Sequence, residues 1–165
     1  MSKRGLTAQN GMNHSFVKKA IELAVECVQG NGGPFSALVV KGGRVIATGT
    51  NEVTRMNDPT AHAEIVAIRK ACRVLGAFQL SGCDVYTSCE PCPMCLGALY
   101  WARPAHIFFA ATRDDAAAAG FDDSLIYRQI ELPHSQRSIP MIQVVDEQAT
   151  RPFEKWANKS DKTNY

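Results

Sequence analysis

Four side chains have the chemistry and the spacing for metal-assisted proton transfer: His62, Glu64, Cys92 and Cys95. An imidazole and two thiolates are ligands that zinc prefers, and three protein ligands leave its fourth tetrahedral position open, as in catalytic sites. Glu64 lies two residues from His62 and is available to accept and return a proton. The set therefore predicts a zinc-dependent hydrolytic centre.

Two predicted helices would carry these residues. Asp58-Pro59-Thr60 offers an N-cap and an N1 proline for a helix that runs to about Leu75, and a second helix is predicted from Cys92 to Arg103. Cys92 and Cys95 are three residues apart, so their thiols share one helix face at the separation that two zinc ligands need. We expect the positive ends of both helices to converge on the thiolates.

The environment of Glu64 distinguishes it from an ordinary solvated glutamate. Its predicted helix has an apolar stripe and an opposite, solvent-facing side. The apolar stripe consists of Ala61, Ile65, Ile68, Cys72 and Leu75, and the solvent-facing side of Arg69, Lys70 and Arg73. Glu64 falls on the flank of the apolar stripe, where an unpaired carboxylate is costly. This placement favours a functional role over a solvated one.

Cys92 and Cys95 also have structural interpretations, as buried core thiols or as half of a closed structural zinc site. A closed site needs a fourth ligand, and Cys89, which forms a second C-x-x-C with Cys92, is the nearby candidate. Because Cys89 precedes Pro91 at the end of a predicted strand, it need not face the same way. We therefore favour the open, catalytic site. A non-catalytic, zinc-stabilised binding protein is a further alternative, but it would have no use for Glu64.

The remaining pattern predicts an α/β fold of three layers, α-β-α, with helices on both faces of a mixed five-stranded sheet. The predicted strands are Phe35–Val40, Val45–Thr50, Val85–Thr87, Ile107–Ala111 and Met141–Val145. Further helices are predicted over Phe16–Val28, within Gly120–Gln129 and over Arg151–Asn158.

At 165 residues, of which 45% are hydrophobic, the chain is long enough for one folded domain, which we place over residues 12–165. Residues 1–11 are predicted to be a disordered extension rather than a secretory signal. A net charge of +2 with scattered Lys and Arg disfavours a nucleic-acid surface, and no apolar run of about 18 residues predicts a membrane span. Six cysteines without export predict reduced thiols in the cytoplasm.

With these motifs placed, the chain resembles the bacterial guanine deaminases of the cytidine-deaminase-like superfamily. The pattern H-x-E followed by P-C-x-x-C is a signature of zinc-dependent nucleobase deaminases. The likeness runs from about Asn13 to the C-terminus and rests on the segments Gly32–Phe35, Asn57–Glu64, Tyr86–Cys95, Tyr100–Pro104 and Ala119–Ser124. The first, zinc-centred segments are shared with tRNA adenosine deaminases. The last two, with the terminal Tyr165, favour guanine.

The resemblance implies one catalytic Zn²⁺ per subunit, held by His62, Cys92 and Cys95, with Glu64 as the proton shuttle. The implied reaction is the hydrolytic deamination of guanine to xanthine and ammonia, in purine catabolism or salvage. The alternative is a deaminase of another base or nucleoside: guanosine, cytosine, a triazine such as ammeline, or adenosine in tRNA. An RNA substrate would require a basic, phosphate-binding face, which the balanced charges of the chain do not predict.

The resemblance also implies a substrate pocket that includes Asn51, Asp123, Phe35 and Tyr165. Asn51 would hydrogen-bond the purine edge, and Asp123 would accept hydrogen bonds from guanine N–H groups. The alternative for Asp123 and its neighbour Asp122 is capping of the helix that follows.

Three further expectations concern the shape of the pocket rather than the reaction. Phe35 would either stack on the base or pack in the core, and Trp101 is predicted to pack in the core. Ser36 departs from the family, in which glycine often follows this phenylalanine. We expect Ser36 to tighten the floor of the pocket.

The C-terminal segment 151–165 combines an amphipathic helix with an aromatic end. The resemblance implies that this tail closes over the active site and joins a homodimer, with tails exchanged between subunits. The alternative is an ordinary docking helix followed by frayed residues.

Overall fold

A four-stranded mixed sheet forms the centre of the residues up to Asp123 in the computed structural model, which describes residues 13–164. The strands are β1 (Gly33–Lys41), β2 (Arg44–Asn51), β3 (Cys83–Cys89) and β4 (His106–Ala111). Their order is β2-β1-β3-β4. Strand β1 runs antiparallel to both of its neighbours, and β3 runs parallel to β4. The residues from Ser124 onwards form a second compact unit.

Helices surround the sheet and make up the second unit. The helices of the first unit are α1 (His14–Gln29), α2 (Val53–Met56), α3 (Ala63–Leu75), α4 (Pro93–Ala102) and α5 (Arg113–Ala118). The second unit contains α6 (Ser124–Glu131), a 3-10 turn (His134–Gln136) and α7 (Arg151–Ala157). Among residues 13–164, none of the helices has the length and hydropathy to cross a membrane. The predictions for residues 1–11 and for Tyr165 lie outside the described residues, and a single domain over 12–165 stays a prediction.

Side chains alternate across β1 and divide the core of the first unit into two layers. Leu38 and Val40 pack with Ala20 of α1 on one face of the sheet. Ala37 and Val39 pack on the other face with buried residues of α3 and α4. Helices therefore cover both faces, and the predicted three-layer α-β-α architecture is confirmed.

One end of the sheet collects the segments that carry the candidate site residues. Because β1 is antiparallel to β2, its first residue, Gly33, pairs with Asn51 at the end of β2. Because β1 is also antiparallel to β3, the same end holds Cys89, which pairs with Ala111 of β4. The connections that follow β2 and β3 therefore lead from this end of the sheet into α3 and α4.

The close packing of α3 on β2 depends on small residues. Ala63, Ala67 and Ala71 form the most deeply buried row of the helix, each 0% exposed. A Cβ on Gly49 of β2 would lie 2.1 Å from the carbonyl oxygen of Ala63 and 2.6 Å from the amide nitrogen of Ala67, so only glycine fits there. The deepest face of α3 therefore differs from the predicted stripe of larger residues, because the helix backbone itself approaches the strand.

Helix α3 begins later than predicted. His62, not Asp58, is its N-cap, and the Asp58 carboxylate accepts hydrogen bonds from the backbone N–H and the hydroxyl of Thr60 at 2.8 and 2.7 Å. The Asp-Pro-Thr signal therefore closes a turn before the helix. Likewise, α4 begins at Pro93 with Cys92 as its N-cap, one residue later than predicted.

The fifth predicted strand, Met141–Val145, does not form in the described residues, so the sheet has four strands. Ile142, Val144 and Val145 are 83%, 83% and 88% exposed. Their β-branched side chains favour extended backbone, but a strand also needs a neighbour that satisfies its backbone hydrogen bonds. None of the described strands pairs with this segment. The prediction is therefore wrong for the single chain.

Candidate active site

His62, Cys92 and Cys95 come together although His62 is 30 residues away from Cys92 along the chain. The Nδ1 atom of His62 lies 3.5 Å from the Sγ of Cys92 and 3.5 Å from the Sγ of Cys95. The three candidate ligand atoms all lie within 4.8 Å of one another. A tetrahedral ion about 2.3 Å from sulfur and about 2.0–2.1 Å from nitrogen would separate nitrogen and sulfur by about 3.6 Å. The donor set and its spacing therefore fit Zn²⁺.

The N-termini of two helices position the three ligands. His62 is the N-cap of α3 and Cys92 is the N-cap of α4, both with extended backbone and without a side-chain hydrogen bond to the helix. Ser, Thr, Asp or Asn usually occupies this position and caps the helix. Here the side chains turn toward each other instead, and Cys95 follows in the first turn of α4. The positive ends of both helices are thus close to the thiolates.

Cys89 does not join the cluster. Its Sγ lies 3.5 Å from the carbonyl oxygen of Thr112 and is not among the three grouped ligand atoms. Cys89 is buried at the end of β3, and burial raises the pKa of its thiol to about 11. The arrangement therefore favours an open site with three ligands over a closed site with four.

Glu64 is buried beside the cluster, with only 7% of its surface exposed, in the first turn of α3. Burial raises the pKa of its carboxyl group, and a hydrogen bond with the Cys95 thiol and the charge of His62 act in the opposite direction. Burial of a carboxyl group costs free energy unless the group has a partner. Its position instead suits a group that exchanges protons next to a metal.

The two thiols influence each other's pKa. A hydrogen bond from Cys95 lowers the pKa of Cys92 to about 4. The same hydrogen bond, together with burial, raises the pKa of Cys95. The pKa of His62 is raised, chiefly by its hydrogen bond with Cys92. A negative charge is therefore present at neutral pH to attract a cation, whose binding would release the remaining thiol proton.

Asn51 ends β2 next to Gly33 of β1. The backbone N–H of Val53 donates a hydrogen bond to its Oδ1 at 3.3 Å. Because the amide oxygen is engaged, the NH₂ group remains as the donor for a ligand. Neither Gly33 nor Val53 was predicted as part of the site, since their contacts with Asn51 follow from strand pairing and from the turn after β2.

Phe35, Phe121 and Asp123 form a second group of candidate residues. Phe35 is half-buried, and its ring packs edge-on against that of Phe121 with centroids 4.9 Å apart. Asp123 is half-buried too, and its pKa is raised by burial and by the charge of Cys92. Asp123 is therefore within electrostatic reach of the metal ligands. Asp122 is exposed.

Two expectations about the pocket are not met. Trp101 is 65% exposed, because α4 turns Cys95, Leu99 and Ala102 inward instead. Ser36 is buried, but its hydroxyl donates a hydrogen bond to a carbonyl oxygen of α1. Helix α1 lies on the face of the sheet opposite α3. The alternation along β1 therefore turns Ser36 away from the metal ligands, and it does not tighten the floor of the pocket.

Comparison with known proteins agrees with this geometry. The cytidine and deoxycytidylate deaminase zinc-binding region matches residues 11–111, which are more than half of the chain. The chain belongs to this deaminase family. For a member of the family, the cluster of one histidine and two cysteines fits a catalytic zinc, so the predicted cofactor and superfamily are confirmed.

Within the deaminase family, the chain is similar to guanine deaminase of Bacillus subtilis (strain 168), with 58% identity over 156 residues, which cover 93% of this chain and 100% of that relative. The X-ray structure of guanine deaminase from B. subtilis has a TM-score of 0.91 at 58% identity and covers 93% of this chain and 99% of that chain. The resemblance to the bacterial guanine deaminases and the α/β fold class are therefore confirmed, with four strands instead of five.

Two more distant members mark the range of the family. A solved structure of guanine deaminase from Nitrosomonas europaea has a TM-score of 0.65 at 36% identity, and the match covers 68% of this chain and 65% of that chain. The tRNA-specific adenosine deaminase of Aquifex aeolicus (strain VF5) is 41% identical over 96 residues, which cover 58% of this chain and 64% of that relative. The zinc-centred part of the chain is thus shared among deaminases with different names.

Proposed function

We propose that this chain catalyses the hydrolytic deamination of guanine, in which water replaces the amino group at C2 and yields xanthine and ammonia. The buried Glu64 beside the cluster of His62, Cys92 and Cys95 is the observation that supports hydrolytic deamination as the reaction type. The similarity to guanine deaminase of B. subtilis supports the substrate, because it covers the whole of that relative. The similarity to the tRNA-specific adenosine deaminase covers only 58% of this chain.

We assign the metal to His62, Cys92 and Cys95. When bound, zinc would act as a Lewis acid and lower the pKa of a water molecule to about 7. Of the two protons of the water, one ends on ring nitrogen N3 of the base and the other on the departing ammonia. We assign both proton transfers to Glu64, and its burial next to the metal ligands supports this role.

Asn51 and Asp123 would recognise the base. Because the Val53 N–H occupies the Oδ1 of Asn51, its NH₂ group would donate to an acceptor on the purine edge. Asp123 would accept from guanine N–H groups, of which adenine lacks N1–H. Phe35, backed by Phe121, offers a ring on which the base could stack. Such a site discriminates against adenine because its own polar groups would remain unpaired.

Ammonia release from a panel of substrates tests the proposed substrate. Zinc-loaded protein would be incubated separately with guanine, guanosine, cytosine, adenine and tRNA. We expect kcat/KM for guanine to exceed that for adenine by about 10⁴-fold, the discrimination that paired polar groups provide. If tRNA is the preferred substrate, the protein is a deaminase of adenosine in RNA and the proposal of guanine is wrong. If the protein binds stoichiometric zinc but releases ammonia from none of the substrates, it is a non-catalytic protein.

Substitution of Glu64 with alanine tests the proton shuttle separately from the metal. The Glu64→Ala protein should retain one zinc per chain, because Glu64 is not one of the three clustered ligands. Its kcat should fall by about 10²- to 10⁴-fold, the usual contribution of general acid–base catalysis. Glu22→Ala, at an exposed glutamate of α1, is the matched control and should keep normal kcat. Normal turnover of Glu64→Ala would eliminate the proposed role.

We also propose a homodimer in which residues 151–165 of one subunit cover the active site of the other. The exposed segment Met141–Val145 supports this proposal, because its largely apolar residues pair with none of the described strands. Strand β4 pairs only with β3 in the described part of the sheet, so its other edge is available to a second copy. Exchange of this part of the chain between subunits would give a pairing partner to the edge of β4 and to the segment Met141–Val145.

Mixed dimers test the exchange of tails. Deletion of Lys159–Tyr165 should reduce activity more than stability, and Glu64→Ala should be inactive with an intact tail. If the two proteins are unfolded together, mixed and refolded, an exchanged tail completes one active site in each mixed dimer. Activity should then return to about a quarter of that of the unaltered protein, as random pairing dictates. Inactive mixed dimers, or a monomer by light scattering, would contradict the exchange.

The cytoplasm is the location that we propose. All six cysteines are free, and two of them are the thiols assigned to the metal. An oxidising compartment would favour their conversion to disulfides, whereas the cytoplasm keeps thiols reduced.

A further inference from the structure

Gly33 and Asn51 lie against each other where β1 begins and β2 ends. A Cβ on Gly33 would lie 3.1 Å from the Cγ, 3.2 Å from the Oδ1 and 3.3 Å from the Cβ of Asn51. Carbon atoms normally approach to about 3.5–4.0 Å, so a side chain at position 33 would displace Asn51. The φ angle of Gly33 is outside the left-handed region, so the backbone itself would accept alanine. This position therefore uses the missing side chain rather than the conformational freedom of glycine.

The main chain around Asn51 is held from several directions. The thiol of Cys27 donates to the carbonyl oxygen of Asn51 at 3.6 Å, and the N–H of Glu52 donates to the carbonyl oxygen of Ala61 at 2.9 Å. The Val53 N–H holds the Oδ1 of the side chain. A new side chain at position 33 would therefore press on the Asn51 Cβ, and its closer contacts with the Cγ and Oδ1 would rotate the Asn51 side chain and redirect its NH₂ group.

A β-bulge maintains this close approach. Pairing advances from Gly33 to Ser36 along β1 while it advances by one residue along β2, so Pro34 and Phe35 have no partner on β2. Bulges of this kind redirect side chains and are common beside active sites. Here the bulge keeps Gly33 opposite Asn51 while Phe35 remains outside the ladder. Both candidate base-contacting side chains thus depend on how β1 begins.

We propose that Gly33 is a positioning residue, whose lack of a side chain lets Asn51 direct its NH₂ group at the substrate. The inference rests on the proposed contact between Asn51 and the purine edge. Because Gly33 acts through Asn51, its replacement should have no effect once the Asn51 amide has been removed. A merely structural role of Gly33 would instead be felt with or without that amide.

The first measurement compares Gly33→Ala with Gly30→Ala in the zinc-loaded protein. A misplacement of 1 Å can reduce catalysis by about 10²-fold, so a shift of a few tenths of an ångström should lower kcat/KM for guanine by about tenfold. Gly30 lies in the same connection between α1 and β1, and a Cβ there would meet nothing closer than 3.6 Å. Gly30→Ala should therefore keep normal kcat/KM. Zinc content should be unchanged in both variants.

The second measurement is a double-mutant cycle with Asn51→Ala. The double variant should have the same kcat/KM as Asn51→Ala alone, within about twofold, because the displaced amide is absent. If Gly33→Ala also lowers the Tm, the decrease should be smaller when Gly33→Ala is added to Asn51→Ala, since the Cγ and Oδ1 are then gone and only the contact with the Cβ at 3.3 Å remains. An equal loss of kcat/KM in both backgrounds, no loss of kcat/KM in Gly33→Ala, or an equal decrease of the Tm in both backgrounds would overturn the inference.

The cycle also separates this inference from the proposed function. If Asn51→Ala keeps normal kcat/KM for guanine, the contact between Asn51 and the base is refuted, and the role of Gly33 is refuted with it. The proposal of guanine deamination would not be affected, because ammonia release by the unaltered protein tests it independently. Absence of ammonia release from guanine by the unaltered protein would refute the proposed function instead.

Discussion

Replacement of Ser36 with glycine tests which face of the sheet this residue serves. Its hydroxyl donates to the carbonyl oxygen of Ala20 in α1, and its backbone N–H donates to the Oγ of Ser88 at 3.0 Å. Ala20 belongs to the core layer between α1 and the sheet, whereas the metal ligands begin α3 and α4 on the other face. We therefore expect Ser36→Gly to change the stability of the protein and not its substrate range.

The size of the effect follows from two losses. A buried intramolecular hydrogen bond contributes about 0.5–1.5 kcal/mol net, and the hydroxyl of Ser36 makes one. Glycine inside a strand costs a further 0.5–1 kcal/mol or so in backbone entropy. The free energy of unfolding should fall by about 1–2.5 kcal/mol, which lowers the Tm by about 2–10 °C for a chain of this length. Ser36→Ala should show about half of this loss, because it removes only the hydrogen bond.

Thermal unfolding and ammonia release, both with zinc-loaded protein, measure the two expected results. The ratios of kcat/KM between guanine, guanosine and adenine should be the same in Ser36→Gly, Ser36→Ala and the unaltered protein. A changed substrate ratio at an unchanged Tm would refute the assignment of Ser36 to the α1 face. It would restore the expectation that this residue shapes the pocket.

Three other predictions address the elements around the site. Gly49→Ala should destabilise the protein by about 1–3 kcal/mol, since its Cβ would lie 2.1 Å from a carbonyl oxygen of α3, and calorimetry against Gly30→Ala checks this. Cys89→Ser should retain one zinc per chain, because Cys89 lies outside the ligand cluster, and loss of zinc by elemental analysis would contradict the open site. Hydrogen bonds from Thr112 lower the pKa of Asp115 below its ordinary value of 3.8. Its carboxylate should therefore stabilise α5 fully at pH values above 3.8, and this stabilisation should be lost as the pH falls through the lowered pKa. Unfolding curves of Asp115→Ala and the unaltered protein should therefore differ at neutral pH and converge as the pH falls.

Local sequence patterns were sufficient for most elements that position the site. Apolar runs separated by a glycine turn predicted β1 and β2, and residues at helical spacing predicted α1. The first residues of α3 and α4 were less predictable, because the true N-caps, His62 and Cys92, are not residues that usually cap helices. Their side chains meet each other instead. A capping preference acts over three residues, whereas this contact spans 30.

By itself, the sequence determined which reactive groups the chain has and how they are spaced: an imidazole, two thiols one turn apart and a carboxyl group beside an apolar stripe. Residue type and helix periodicity act over a few residues, so no tertiary contact was needed for this conclusion. Only the tertiary structure decided that Cys89 stays outside the cluster, that Ser36 faces α1 and that Gly33 makes room for Asn51. Those outcomes depend on strand register and on the order of strands in the sheet, which contacts between distant parts of the chain establish. The segment Met141–Val145 shows the same dependence, since residues that favour β-structure become a strand only when a neighbour supplies their hydrogen bonds.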